Sequence, residues 1–282
     1  MTSKLPEIRL QSGIDNYAVM GNPVSHSLSP EIHLQFARQT GQRLAYQAIE
    51  VPLDRFPEMV EQFRLANGCG LNITVPFKQQ AWELADRRSR IAERAGAVNT
   101  LWFDGDVIYA DNTDGRGLLR DITVNQQQEI VGKRLLILGA GGAVRGVLEP
   151  LLLEKPARLV VANRTLARAE ELAEMFSDYG NVSCVGFSDL AGQQFDIVIN
   201  GTSASLQGEV PPLPETLLSE EALCYDMMYA KEATAFVRWG LEHGAAKSVD
   251  GLGMLVEQAA ESFLIWRGIR PDTKPVIALF RG

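Results

Sequence analysis

Cysteine and histidine are scarce, three of each in 282 residues. Cys69, Cys184 and Cys224 are odd in number and far apart, which fits neither a disulfide framework nor a Cys-x-x-Cys metal knuckle. They read as buried or idle thiols. His26, His33 and His243 lack Cys or carboxylate partners at zinc spacing, so no metal is expected. Long apolar runs are also missing. Leu135 to Leu138 and Arg158 to Ala162 are strand-length, well short of the roughly 20 residues that span a bilayer, and no membrane contact is expected. The first residues, Met1 to Leu10, carry charge without an apolar leader core, so a cytoplasmic protein is expected. Basic clusters are lacking too: 27 Lys and Arg face 35 Asp and Glu, for a formal charge of -8. No run could neutralise a row of phosphates, which sets nucleic acid aside.

What is present is an α/β alternation in a chain longer than one typical domain, so two lobes are expected. Tyr17 to Met20, a helix after Pro30, Tyr46 to Val51, Leu53 to Ala66 and Leu71 to Val75 read as βαβαβ. Ala97 to Phe103 and Val107 to Ala110 flank Asp104-Gly105-Asp106 as a hairpin, which makes the first sheet mixed. A cleaner βαβ series follows. It runs through strand Leu135 to Leu138, helix Ala143 to Glu154, strand Leu159 to Ala162 and helix Leu166 to Phe176. Strands Ile197 to Asn200 and Leu223 to Met227 continue it. A boundary is expected near Asn112 to Gly115. Beyond Asp250, Leu252, Val256, Ala259 and Phe263 form one apolar stripe of a helix.

Gly139-Ala140-Gly141-Gly142-Ala143 follows an apolar strand and opens a helix, where free backbone N–H groups hold a dinucleotide pyrophosphate. The third position of the usual Gly-x-Gly-x-x-Gly spacing is Val144, so a tight strand-to-helix turn without ligand stays open. An NAD site would place an acidic residue about 20 residues on, at the end of the second strand. This chain has Asn163-Arg164-Thr165 there, and Arg168 one turn later. Guanidinium forks suit the 2'-phosphate of NADP, each bond contributing about 1.5–3 kcal/mol, though a solvated helix start would look the same. Asn200-Gly201-Thr202-Ser203 reaches the same carboxyl edge, either lining a nicotinamide channel or forming a plain turn.

Ser29 is a ready N-cap and Pro30 suits the first helical position, which needs no ligand. Equally, the hydroxyls of Ser27 and Ser29 near a helix N-terminus suit a carboxylate. In Asn72-Ile73-Thr74-Val75-Pro76-Phe77-Lys78, alternation sends Asn72 and Thr74 to one strand face before Pro76 opens a helix carrying Lys78. A lone lysine is commonly solvated surface. Oxidising a secondary alcohol nevertheless requires a group that takes the hydroxyl proton, and lysine can serve.

Taken in order, Ser27-x-Ser29, Asn72-x-Thr74-x-Pro76-x-Lys78, Ala97-Val98-Asn99-Thr100, Asp111-Asn112-Thr113-Asp114-Gly115 and Gly139-x-Gly141-Gly142-Ala143 resemble the motifs of the shikimate dehydrogenase family. Asn163-Arg164-Thr165, Tyr225-Asp226-Met227 and Asp250-Gly251-Leu252-Gly253-Met254-Leu255 continue the resemblance, which spans Asn16 to Pro275. It implies NADP-dependent interconversion of 3-dehydroshikimate and shikimate, in aromatic amino acid and chorismate biosynthesis, by a monomer or homodimer. It implies Ser27, Ser29, Thr74, Asn99, Asp114, Tyr229 and Gln258 as substrate contacts, with Lys78 and Asp114 as the catalytic pair. Cofactor contacts would be Gly139 to Ala143, Asn163, Arg164, Thr165 and Arg168, with Met227 and Gly251 against the nicotinamide. The implied fold is a discontinuous substrate lobe, residues 1–113 and 251–282, around a Rossmann-type NADP lobe, residues 114–250, with lobe closure setting the hydride distance. A lysine beside a carboxylate stays charged, which suits reduction better than proton abstraction. Two rivals remain: a quinate/shikimate dehydrogenase with relaxed substrate or cofactor choice, and a non-catalytic NADP-sensing homologue.

Overall fold

The computed structural model describes residues 5–180 and 182–282. Residues 1–4, part of the segment expected to hold no leader, lie outside it. The chain divides into two compact units, one reaching Asp114 and resuming from Val256 to Gly282, the other Gly115–Leu255. Both divisions fall inside helices, α5 (Asp114–Arg120) and α9 (Leu252–Arg267).

The first unit carries β1 (Asp15–Gly21), β2 (Leu44–Glu50), β3 (Gly70–Ile73), β4 (Arg87–Arg88), β5 (Thr100–Asp104) and β6 (Val107–Asp111), in the order β2-β1-β3-β5-β6-β4. β2 and β3 run parallel to β1, while β5 pairs antiparallel with both β3 and β6, so the sheet is mixed. Helices α1 (Ser29–Thr40), α2 (Phe56–Leu65), α3 (Lys78–Leu84) and α4 (Arg90–Ala95) come between the strands. The hairpin loop is Gly105-Asp106, as its composition demands. A core of Met20, Phe56, Met59, Phe63, Leu71 and Phe77 fills one side, each such residue contributing about 1.5–3 kcal/mol by leaving water. α10 (Lys274–Arg281) ends the chain, and Thr273 before it donates to the buried Glu257 carboxylate at 2.6 Å.

Two local expectations are corrected. Leu28, not Ser29, is the N-cap of α1, without a side-chain cap bond, and Ser29 is already helical, which puts Pro30 one place further in. β3 stops at Ile73, and Val75 to Phe77 form a turn containing a cis Val75–Pro76 bond. Thr74 therefore lies beyond the strand, and α3 begins at Lys78 itself.

The second unit is a six-stranded parallel sheet, β12-β11-β10-β7-β8-β9, the order of a doubly wound dinucleotide fold. Its strands are β7 (Arg134–Leu138), β8 (Arg158–Ala162), β9 (Val182–Val185), β10 (Phe195–Asn200), β11 (Leu218–Asp226) and β12 (Lys247–Val249), with helices α6 (Gly142–Leu153), α7 (Leu166–Met175) and α8 (Ala235–Glu242). Consecutive residues of β7 feed opposite cores. Leu135 and Ile137 join Val147, Leu151 and Leu172, whereas Leu136 and Leu138 join Val198, Leu217 and Phe236. A sheet covered on both faces needs continuous apolar strands, hence Leu135-Leu136-Ile137-Leu138 rather than alternation.

Candidate active site

In the first unit a charged pair stands over a buried polar floor. Lys78 opens α3, and its backbone carbonyl accepts from Val98 N at 2.9 Å, which brings the next residue, Asn99, alongside. Lys78 Nζ donates to Asp114 Oδ2 at 2.5 Å, with the lysine side chain 23% exposed and the aspartate 9%. Asn99 Nδ2 donates to Asp114 Oδ1 and to Thr113 Oγ1, both at 2.8 Å, and to Gln258 Oε1 at 3.2 Å. Asp114 is thus fixed from two sides. Below it, Asn72 Nδ2 donates to Ser262 Oγ at 3.0 Å, and Ser262 Oγ lies 2.7 Å from Thr100 Oγ1.

Ser27 Oγ accepts from Ser29 N at 3.3 Å at the start of α1. Behind Ser29 stands Tyr46, whose phenol donates to Asn72 Oδ1 at 2.7 Å; burial pushes that phenol well up, opposed by the Ser29 hydroxyl. One turn along α1, His33 is fully buried and stacks on Tyr46 at 4.3 Å. Burial pushes its imidazole down to about 3, outweighing the Asn72 amide, which acts the other way. Thr74 is partly exposed, its N–H held by Met20 O at 2.9 Å. The first unit therefore brings together Lys78, Asn99, Asp114 and Gln258 by direct contact. Tyr229 belongs to the second unit, half-buried after β11, where burial raises its phenol. Tyr46, Thr113 and Ser262 have no role in the expected site; Thr113 carried a signal as part of the Asp111–Gly115 motif and Ser262 as a residue one turn from Gln258 on α9, whereas Tyr46 carried none.

At the carboxyl edge of β7 in the second unit, Gly139 has φ +101°, a conformation L side chains rarely adopt. Gly141 and Gly142 are exposed, and a Cβ on either would meet nothing within 4 Å. The helices that start here, α6 and α7, have neither a side-chain cap nor an acidic residue in the first turn. By contrast, Ser89 and Thr234 cap α4 and α8 with their hydroxyls. Asn163 Nδ2 donates to Thr165 O at 2.8 Å, shaping the loop on which Arg164 stands; Arg164, Thr165 and Arg168 are exposed. Two bare helix starts with adjacent arginines suit a ligand with two phosphate groups.

The imperfect glycine fingerprint has a physical reason. Val144 occupies the third position, and the space it needs comes from Gly201 at the end of β10, where a Cβ would lie 2.3 Å from Val144 Cγ2. Gly251 is likewise a close approach, since a Cβ there would lie 2.4 Å from Met227 O. No cluster of three or more metal-ligating side chains occurs among the described residues, and no helix among them is long and apolar enough to cross a membrane.

Comparison with known proteins gives matches in chain order. The shikimate dehydrogenase substrate binding domain model covers residues 19–101, the shikimate / quinate 5-dehydrogenase model residues 121–207, and the shikimate 5'-dehydrogenase C-terminal domain model residues 251–279. The NADP(+) shikimate dehydrogenase of Alkalilimnicola ehrlichii is 62% identical over 267 residues, 95% of this chain and 98% of that one. The crystal structure of the Ael1 enzyme from Pseudomonas putida has a TM-score of 0.91 at 51% identity, covering 94% of this chain and 98% of its own. Shikimate 5-dehydrogenase from Thermus thermophilus, solved with NADP(H) and shikimate, has a TM-score of 0.83 at 32% identity, covering 95% of this chain and 99% of its own. The charged pair, the glycine turn and near full-length identity agree, and the chain belongs to the shikimate dehydrogenase family.

Proposed function

We propose that this protein is an NADP-dependent oxidoreductase interconverting 3-dehydroshikimate and shikimate, a step toward chorismate and the aromatic amino acids. The observation that carries the reading is the Lys78–Asp114 pair, oriented by the buried Asn99 amide. We assign the ring acid to the first unit and NADP to the second. Free thiols at Cys69, Cys184 and Cys224 accord with the reducing cytoplasm.

The exposed Gly141 and Gly142 and the bare starts of α6 and α7 fit a pyrophosphate, with Arg164 and Arg168 taking the 2'-phosphate. NADP, when bound, supplies the hydride acceptor or donor. Lys78 handles the proton: its ammonium protonates the carbonyl oxygen in reduction, and its amine takes the hydroxyl proton in oxidation. Asp114 keeps Lys78 oriented and accepts from a ring hydroxyl. Asn99 is buried with its amide engaged, so it acts on the substrate chiefly through Asp114. The Ser27 and Ser29 hydroxyls hold the carboxylate without a cation, while Thr74 and Gln258 complete the first unit's contacts, and Met227 and Gly251 of the second unit lie against the nicotinamide.

Initial rates with shikimate and with quinate, each offered NADP or NAD, test this. Rapid turnover with shikimate and NADP alone is expected. Equal rates with quinate or NAD would favour the relaxed-specificity alternative, which the absence of an acidic residue after β8 disfavours.

A further inference from the structure

Asp226, the last residue of β11, is fully buried, and among the described residues its carboxylate accepts from neutral donors. Oδ1 takes Asn200 Nδ2 and Met228 N–H, each at 3.0 Å, and Oδ2 takes the Thr234 hydroxyl at 2.6 Å. Each donor belongs to a different piece of the carboxyl edge. Asn200 ends β10, and its Oδ1 accepts from the Thr202 hydroxyl at 2.7 Å and from Thr202 N at 3.1 Å. The Asn200 backbone carbonyl accepts from Met227 N at 2.9 Å. Thr234 caps α8, and the Met228 carbonyl accepts from Gly251 N at 2.9 Å. Thr202 in turn closes on the glycine turn, its methyl 3.0 Å from where a Gly139 Cβ would stand.

We propose that Asp226 is a positioning residue for hydride transfer, the hub that holds Thr202, Met227 and Gly251 where the nicotinamide half of NADP must lie. This rests on the NADP reading above. It also resolves the Asn200-Gly201-Thr202 loop, which is one arm of the hub rather than a plain turn. A carboxylate buried without a cation is costly, and burial raises its protonation point against the Thr234, Ser205, Met228 and Asn200 hydrogen bonds. Geometry explains its retention: both oxygens accept here, and Asp226 supplies them in one side chain.

Asp226→Ala, Thr234→Val and Asp226→Asn in the full-length chain test the assignment. The readouts are kcat, KM, the primary isotope effect with shikimate deuterated at the oxidised carbon, and dissociation constants for NADPH and 2',5'-ADP, which lacks nicotinamide. Asp226→Ala should lose about tenfold to a hundredfold in kcat, as misplaced reacting groups do. Its isotope effect should change and NADPH should bind more weakly, while 2',5'-ADP binds as before. Thr234→Val should move the same way by less, which keeps the test alive should the alanine variant not fold. Asp226→Asn, which keeps an oxygen for Asn200 and Met228, should recover most of the rate. The proposal is overturned by wild-type kcat and isotope effect in both Asp226→Ala and Thr234→Val, by NADPH and 2',5'-ADP weakening together, or by an asparagine as poor as the alanine. Wild-type protein that binds neither nucleotide sinks the NADP reading itself, and the proposal with it.

Discussion

The first unit around its charged pair and the second at its glycine turn are built from opposite materials. In the first, side chains hold side chains: Asn72, Asn99, Thr100, Thr113 and Ser262 are buried and hydrogen-bonded beneath one charged pair. In the second, the edge toward the glycine turn is bare backbone, with arginines standing out in solvent. Chemistry that moves a proton needs one group fixed in one place, whereas phosphate binding is shared among many N–H groups. A single substitution should therefore cost more at the charged pair than at the glycine turn.

The largest effect expected is from Lys78→Ala, a loss of roughly a hundredfold to ten-thousandfold in kcat. Near wild-type turnover would remove Lys78 from proton transfer. His33 probes the same floor through pH. Its folded protonation point, about 3, lies below the ordinary 6.5, so the unfolded chain binds the extra proton first. Stability present at neutral pH is lost as pH falls below about 6.5, by about 3 kcal/mol between pH 7 and pH 4. Urea titrations of the wild type and of His33→Phe at both values measure this; equal losses in the two proteins would refute it. In the second unit, Gly201→Ala drives a methyl into Val144 and should destabilise by about 1–3 kcal/mol. The Val144→Ala background should recover most of that, and additive losses would show that the two sites do not compensate. The smallest effect is expected from Arg164→Ala, an exposed cation: about a tenfold rise in KM for NADP, shrinking in high salt. An equal rise for NAD would deny Arg164 the 2'-phosphate.

Legibility in the sequence differed along the same line. β7, α6 and β8 were readable because a strand buried on both faces is continuously apolar and a glycine turn punctuates it. β4, β12 and α4 were not, being two, three and six residues long and too short to show a period. Lys78, Asn99 and Asp114 were found by motif resemblance, since nothing local reveals that residues so far apart share hydrogen bonds. The start of α1 was misplaced because a serine before proline fits an N-cap by propensity, whereas Ser29 is buried within the first turn. Val144 looked like a defect in the fingerprint until Gly201 supplied the missing space.

The chain leaves the first unit at Asp114 and returns to it only at Val256. On the ribosome, the early part must wait while all of the second unit is made, on the order of ten seconds. Until then it lacks Ser262, which bridges Asn72 and Thr100, and Trp266, whose indole N–H reaches Leu101 O at 3.0 Å. The nascent chain thus completes its second unit first. A stop codon at Val256 would release a chain carrying the whole second unit while leaving the Lys78–Asp114 pair on a sheet without Ser262 and Trp266.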